Sequence, residues 1–342
     1  DKIDYFARDL HYSQGSSIIK KLMVLIHEAY VAKVECDPHR GICHLGGHCE
    51  HLMICYPEKI LTSVIDFFRT RFTLFTEIYT HMAAKGFEFL LRDILVKANQ
   101  YFRLKIDCSI SEAIYNAETF LLLKDSIIDV IYNSPDPLLT EAQDLISRFN
   151  GRDAYKQICL KRLDEEGEEI LSGLSEESMK QGLLRAARHY DAETSFDYTS
   201  FIMNDLIIEL RKIHHGMKRE NPTNFCRFIP KYKTVPFAVK SIDDLPVAEK
   251  MDEAKYASHL PRIFQEVSLI AFSRCSDGDS EMATKHEFTR HLIEQWLELE
   301  RSQRPNTTLP DENNLFAAFA CTQNSDDDLS IYADDKSYIE FR

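Results

Sequence analysis

The sequence predicts a mainly α-helical protein, with β-prone texture confined to its second half. Gly and Pro are sparse, at 11 each in 342 residues. Apolar residues recur mostly at helical spacing, as in Ser63-Val64-Ile65-Asp66-Phe67-Phe68 and Glu88-Phe89-Leu90-Leu91-Arg92-Asp93-Ile94-Leu95. After Gly151 the texture changes, and charge-rich stretches alternate with β-prone ones. At 44% hydrophobic residues, a chain of this length buries one large core or two modest ones.

The first half reads as long amphipathic helices over 1–11, 17–34, 58–101 with at least one break, and 111–132. Asn133-Ser134-Pro135-Asp136-Pro137 is a helix stop and turn, and a helix over 138–149 follows it. A soft domain boundary falls near residue 150. Beyond it, Asp164 to Glu169 is a solvated acidic run, and Phe201 to Ile208 fits a strand or a helix equally well. Glu220-Asn221-Pro222 reads as a turn and Cys226-Arg227-Phe228-Ile229 as a short strand. Helices over 254–272 and 282–301 are expected to close the ordered region near residue 304. The segment 305–342 reads as an acidic, disordered tail.

Charge limits the partners. With 41 basic and 55 acidic side chains the formal net charge is −14, which excludes nonspecific wrapping of nucleic acid by the whole surface. Residues 306–342 carry eight acidic and two basic side chains, so the preceding part is only mildly acidic. No run approaches the roughly 18 to 20 apolar residues of a membrane span. No charged-then-apolar leader opens the sequence, and nine Cys without framework spacing read as reduced thiols. The expectation is a soluble intracellular protein of the nucleus or cytoplasm.

Two faces stand out for their spacing. Asp1, Tyr5 and Asp9 recur every four residues, as do Arg71, Phe75 and Tyr79, so a helix projects each set side by side. The stretch Asp-Lys-x-Asp-Tyr-Phe-Ala-Arg-Asp opens the chain, followed in order by Cys-Tyr-x-Glu-Lys, Thr-Arg-Phe-x-Leu, Tyr-x-x-x-Asp-Pro, Gly-Arg-x-x-Tyr-Lys and Gly-Met-x-x-x-Asn-Pro. In content and order these motifs resemble the HD-domain deoxynucleoside triphosphate (dNTP) triphosphohydrolases, nearest to their eukaryotic branch with SAM and HD domains. The likeness runs from Asp1 to about Lys231, weakens through Arg301 and is absent from the tail.

The resemblance implies that 1–150 is the second half of an all-helical HD domain, followed by a smaller α+β regulatory lobe over 151–304. It implies hydrolysis of a dNTP to deoxynucleoside and intact triphosphate. The family's divalent metal (Zn, Fe, Mn or Mg) is held by a His, a His-Asp pair and a distant Asp, and the distant Asp matches Asp1. No His-Asp dipeptide occurs in the sequence. The expectation is therefore an N-terminally incomplete copy whose other ligands lie upstream and which holds no metal firmly alone. The alternative is a catalytically inactive nucleotide-binding or assembly paralogue. A single-stranded nucleic-acid binder is a third reading, which the acidic charge opposes.

Residue by residue, Lys2 and Arg71 match phosphate-binding positions, Tyr5 and Asp9 match positions near the sugar, and Tyr79 matches a retained substrate contact. Phe75 and Thr80 depart from the family's pattern. Arg152, Lys156, Lys231 and Lys59 match effector contacts, implying an activating GTP or dNTP, Mg bound with the nucleotide, and a homo-oligomer, dimer or tetramer. Glu77 and Met82 stand where bases are expected, so the effector reading competes with ordinary surface pairing of those cations.

The segment 36–55 has no counterpart in that pattern. It holds Cys36, His39, Cys43, His44, His48, Cys49, His51 and Cys55. Thiolates are usual zinc ligands, so Cys36, Cys43, Cys49 and Cys55 form one candidate set. The spacing lacks a Cys-x2-Cys knuckle, which fits a plain surface insertion. In the tail, Phe316, Phe319, Tyr332, Tyr338 and Phe341 leave a docking peptide as the alternative to disorder.

Overall fold

The computed structural model describes residues 2–13, 17–35, 50–105, 108–190, 193–233, 241–275 and 280–303. Helix α1 (Lys2–Ser13) buries Phe6 and Leu10, and α2 (Ser17–His27) buries Leu22 and Leu25. The two meet Leu74 of α3 (Leu61–Leu74) in one apolar cluster. Between α2 and α3 a hairpin forms from β1 (Tyr30–Glu35) and β2 (Glu50–Pro57), in antiparallel register from Tyr30 opposite Cys55 to Val34 opposite His51. A helix was expected as far as residue 34. Tyr30-Val31-Ala32-Lys33-Val34 is a strand instead, because Ala32 and Val34 point inward with period two and β2 satisfies the backbone.

The expected break in 58–101 is a π-helical turn over Phe75–Tyr79, after which His81 caps α4 (Met82–Asn99) by accepting from the Ala83 amide at 3.3 Å. The expected helix over 111–132 is instead short pieces, including α5 (Ala117–Phe120), which Asn116 caps, and α6 (Ile127–Tyr132). The turn after α6 leads to α7 (Thr140–Asn150), and Gln143 holds it by donating to the carbonyls of Ile131 (3.1 Å) and Ser134 (2.8 Å).

The remainder alternates: β3 (Lys156–Arg162), α8 (Glu165–Leu171), α9 (Glu176–His189), α10 (Tyr198–Ser200), β4 (Leu206–His214), β5 (Phe228–Ile229), β6 (Val247–Ala248), β7 (Gln265–Ser273) and α11 (Met282–Gln303). One sheet has the order β5-β2-β1-β6, and the other, antiparallel throughout, has the order β3-β7-β4. The fold is mainly α with a smaller α+β part. A helix was expected over 254–272, yet 265–273 is the central strand of the second sheet. Its stretch Val267 to Phe272, apolar but for the buried Ser268, is buried on both faces and so carries no two-residue alternation to betray a strand.

That sheet is the centre of packing. One face, with Ile158, Leu206, Ile208, Leu269 and Ala271, packs on α8, α9 and α11. The other, with Ile207, Ile270 and Phe272, packs on α4, α6 and α7. Helices from before residue 150 thus cover strands from after it. Gly86 of α4 sits against the backbone leading into β3, where an added Cβ would lie 2.2 Å from the Tyr155 carbonyl oxygen. Beside this contact the Tyr155 hydroxyl donates to Asp93 (3.0 Å), which Arg274 also pairs at 2.6 Å. Burial pushes the Asp93 carboxyl upward, but the Arg274 contacts outweigh it and hold Asp93 below the usual carboxylate range. Arg148 adds bonds to Asp153 (2.8 Å) and to the Arg274 carbonyl (2.8 Å), closing the seam.

The Cys55 side chain faces the hairpin core with Ala32, Val34, Ile229 and Ala248, and burial pushes its thiol up to about 11. A buried, protonated thiol is a poor zinc ligand and packs as a small hydrophobe. Cys36, Cys43 and Cys49, like the tail residues, lie outside the described residues.

Gly86→Ala is expected to lower the unfolding free energy by about 2 to 3 kcal/mol, because the obstacle is backbone and cannot rotate aside. Urea denaturation monitored by circular dichroism measures it. A loss below about 0.5 kcal/mol would contradict this close approach.

Candidate functional site

The site grows from two helices that meet through side chains spaced by four. On α1, Phe6 and Leu10 enter the core while Tyr5 and Asp9 lie at its edge. On α3 and the turn after it, Arg71, Phe75 and Tyr79 form the facing row. The turn Phe75–Tyr79 is π-helical. It closes through Thr80, whose amide reaches the Phe75 carbonyl at 3.0 Å and whose hydroxyl donates to the same oxygen at 2.7 Å. Single π-turns inside helices are uncommon and concentrate at functional sites.

The contacts along the row are continuous. The Tyr79 hydroxyl donates to Asp9 Oδ2. Phe75 meets Tyr79 edge to face at 5.1 Å, and the Arg71 guanidinium lies 4.2 Å from the Phe75 ring centre. Burial, then the bond to Asp9, raises the Tyr79 phenol above its ordinary value. The Asp9 side chain is 33% exposed, so it is held yet reachable from solvent. Lys2 is exposed at the start of α1.

A third element backs the row. Arg71 donates through Nη1 to the carbonyl of His214, the last residue of β4. The next residue, His215, stacks on Phe72 at 4.3 Å with 5° between the rings, and burial lowers its imidazole below the ordinary value. Gly216 comes after it with φ +153°, 3.1 Å from Phe68 measured from where a Cβ would stand. Asn221 caps the next turn by accepting from the Thr223 amide at 3.0 Å. The Gly-Met-x-x-x-Asn-Pro motif is thereby seated on α3.

The cations matched to effector contacts fall in two places. Lys59 pairs with Glu28 at 2.8 Å, and the neighbouring Glu58 carboxylate accepts from the Lys231 amide at 3.1 Å, so Lys59 and Lys231 share one surface. Arg152 lies instead on the connection from α7 to β3, and Lys156 opens β3. Arg152 is exposed with φ +61°, a left-handed conformation that costs a non-glycine residue about 1 to 2 kcal/mol. Asp1 lies outside the described residues. Among the described residues, no group of three or more His, Cys, Asp or Glu side chains is placed to hold a metal ion, and no helix is long and apolar enough to cross a membrane.

No family model matches the sequence. The chain is 25% identical over 304 residues to deoxynucleoside triphosphate triphosphohydrolase SAMHD1 of Bos taurus, covering 86% of this chain and 45% of that protein. It is 23% identical over 293 residues to the SAMHD1 homolog of Dictyostelium discoideum, covering 83% and 45%. With the Homo sapiens protein of the same name it shares 26% identity over 281 residues, covering 77% and 39%. The chain is related to the SAMHD1-like dNTP triphosphohydrolases. It spans about half the length of the relatives it matches.

The sequence marks both helical rows but not the backing strand. Arg211, His214 and His215 carry no spacing signal, because the stretch leading into β4 reads as strand or helix alike. Their only sequence cue is their place just before the Gly-Met-x-x-x-Asn-Pro motif.

The Tyr79–Asp9 bond sets an alkaline limit on stability. The folded phenol titrates above its unfolded value of about 10, so its contribution is fully present below pH 10 and is lost as pH rises toward the folded value. Tyr79→Phe is expected to cost about 1 kcal/mol at pH 8 and progressively less above pH 10. Urea midpoints of both proteins from pH 8 to 11.5 check the convergence.

Proposed function

We propose that this chain forms the nucleotide-binding part of a SAMHD1-like hydrolase that converts a dNTP and water into a deoxynucleoside and inorganic triphosphate. The observation that carries the reading is the continuous row Arg71–Phe75–Tyr79–Asp9, with Tyr5 on the same helix face as Asp9. A triphosphate carries three to four negative charges and needs fixed cations. Arg71 and Lys2 fill that role. Asp9, oriented by the Tyr79 hydroxyl, accepts from the sugar 3'-hydroxyl. Tyr5 packs where a 2'-hydroxyl would project, so a ribonucleotide is disfavoured by crowding and by an unpaired polar group.

In the overall reaction water oxygen bonds to the α-phosphorus, the bond from phosphorus to the sugar 5'-oxygen breaks, and that oxygen leaves protonated. The resemblance implies a divalent metal at the α-phosphate. The described residues do not supply a ligand set for one, so their own contribution is to bind, orient and select. Lys59, Lys231, Arg152 and Lys156 are proposed contacts for an activating GTP or dNTP in a homo-oligomer. The left-handed Arg152 supports this, since strain in a non-glycine residue tends to persist where function holds it.

The test is calorimetry, with product analysis beside it. The chain is expected to bind dGTP, and GTP at least about tenfold more weakly. Asp9→Asn and Arg71→Ala should each weaken dGTP binding by about 100-fold. Release of triphosphate and deoxyguanosine with Mn2+ present, read by anion exchange, would show that a working metal site is supplied, and absence of dGTP binding would overturn the proposal.

A further inference from the structure

Two contacts run from β4 to the row of site residues, and they bracket the π-helical turn. Before the turn, Arg71 is tied to the His214 carbonyl. After it, Arg211 donates through Nη1 to the Thr80 hydroxyl oxygen at 3.4 Å, and that hydroxyl donates onward to the Phe75 carbonyl. Along the strand, Arg211 and His214 stand ~10 Å apart. The helix from residue 71 to 80 covers ~13 Å. The spans are comparable, so β4 grips the turn at both ends.

Arg211 is an expensive residue for this position. Its side chain is 10% exposed on a strand that is otherwise largely apolar. Nη2 meets Glu266 at 3.3 Å, but Arg162 already pairs with the other oxygen of that carboxylate at 3.3 Å. Among the described residues, its buried Nε meets no acceptor. Burial also disfavours the charged guanidinium. A leucine would fill such a site at lower cost, since buried ion pairs rarely outperform apolar packing. An unsatisfied buried donor therefore points to a task beyond packing, and the reach of Nη1 to Thr80 identifies it.

We propose that Arg211 is a positioning residue for the candidate nucleotide face. By holding Thr80, it keeps Phe75–Tyr79 in the π-helical form that brings the Tyr79 hydroxyl to Asp9. Relaxation of the turn to an ordinary α-helix removes one residue of register and rotates the residues after it by about 100°. Tyr79 then leaves Asp9, and the row breaks between them. The consequence for nucleotide binding rests on the function proposed above. The mechanical part, Arg211 acting through Thr80 on the turn, does not.

Hydrogen exchange of the 342-residue chain, followed by mass spectrometry, tests the mechanical part. Arg211→Leu and Thr80→Val are each expected to speed exchange of amides 75–81 by about tenfold or more, with β7 unchanged. Arg211→Lys, which keeps one donor, should recover part of the protection. Because Arg211→Leu also disturbs Glu266 and Thr80→Val also removes the bond to the Phe75 carbonyl, the two variants are read together: the Arg211–Thr80 contact is the one interaction both remove. Exchange within about twofold of wild type in Thr80→Val overturns the inference.

In parallel, dGTP affinity measured by calorimetry should weaken about tenfold in Thr80→Val. Faster exchange with unchanged affinity would overturn the link to the ligand while leaving the clamp intact. A wild-type chain that binds no dGTP would defeat the proposed function, and the exchange result would still decide the role of Arg211.

Discussion

The β3-β7-β4 sheet is buried on both faces, and the arrangement of the elements around it depends on that constraint. Leu206 and Ile208 look toward α9 and α11 while Ile207 between them looks toward α4 and α7. Such a strand cannot slip by one residue without exchanging two complete apolar sets. Two glycine contacts tighten the covering helices: Gly86 against the Tyr155 carbonyl, and Gly182 of α9 against the Trp296 indole of α11. β4 is thereby fixed from both sides. Its polar end, Arg211 to His214, is a firm post against which a less regular helical segment is braced.

Electrostatics around the post are largely internal. Lys212 and Arg219 converge on Glu168, Arg162 and Arg211 on Glu266, and Lys85 on Glu88 and Glu209. These pairs absorb positive charge around the sheet. Arg71 is held by the His214 carbonyl and lies against the Phe75 ring, so its guanidinium has a fixed orientation. A guanidinium oriented in this way suits the recognition of a polyanion. It also reconciles an acidic chain with an anionic ligand, since the field that matters is local.

Much of this was legible in the sequence where a period exists. The four-residue spacing of Tyr5 and Asp9, and of Arg71, Phe75 and Tyr79, placed each set on one face, and the structure brings the two faces together at the Tyr79–Asp9 bond. The hairpin Tyr30–Pro57 was hidden because the apolar residues of its first strand continue the rhythm of the preceding helix. β7 was hidden because Val267 to Phe272, buried on both sides, has no alternation. Arg211 was illegible for a different reason. Its importance lies in a partner 131 positions away, and no local pattern carries that distance.

The two grips on the π-turn differ in how they tolerate mutation. Arg71 is held by a backbone carbonyl, which every amino acid at position 214 supplies, so that grip is indifferent to drift there. Arg211 and Thr80 meet through side chains, and either can be lost by a single replacement. A lineage carrying this turn keeps the first grip whatever residue stands at 214, while residues 80 and 211 change together. In related sequences the turn should therefore leave its trace as a covarying pair between the residue that closes it and the fourth strand.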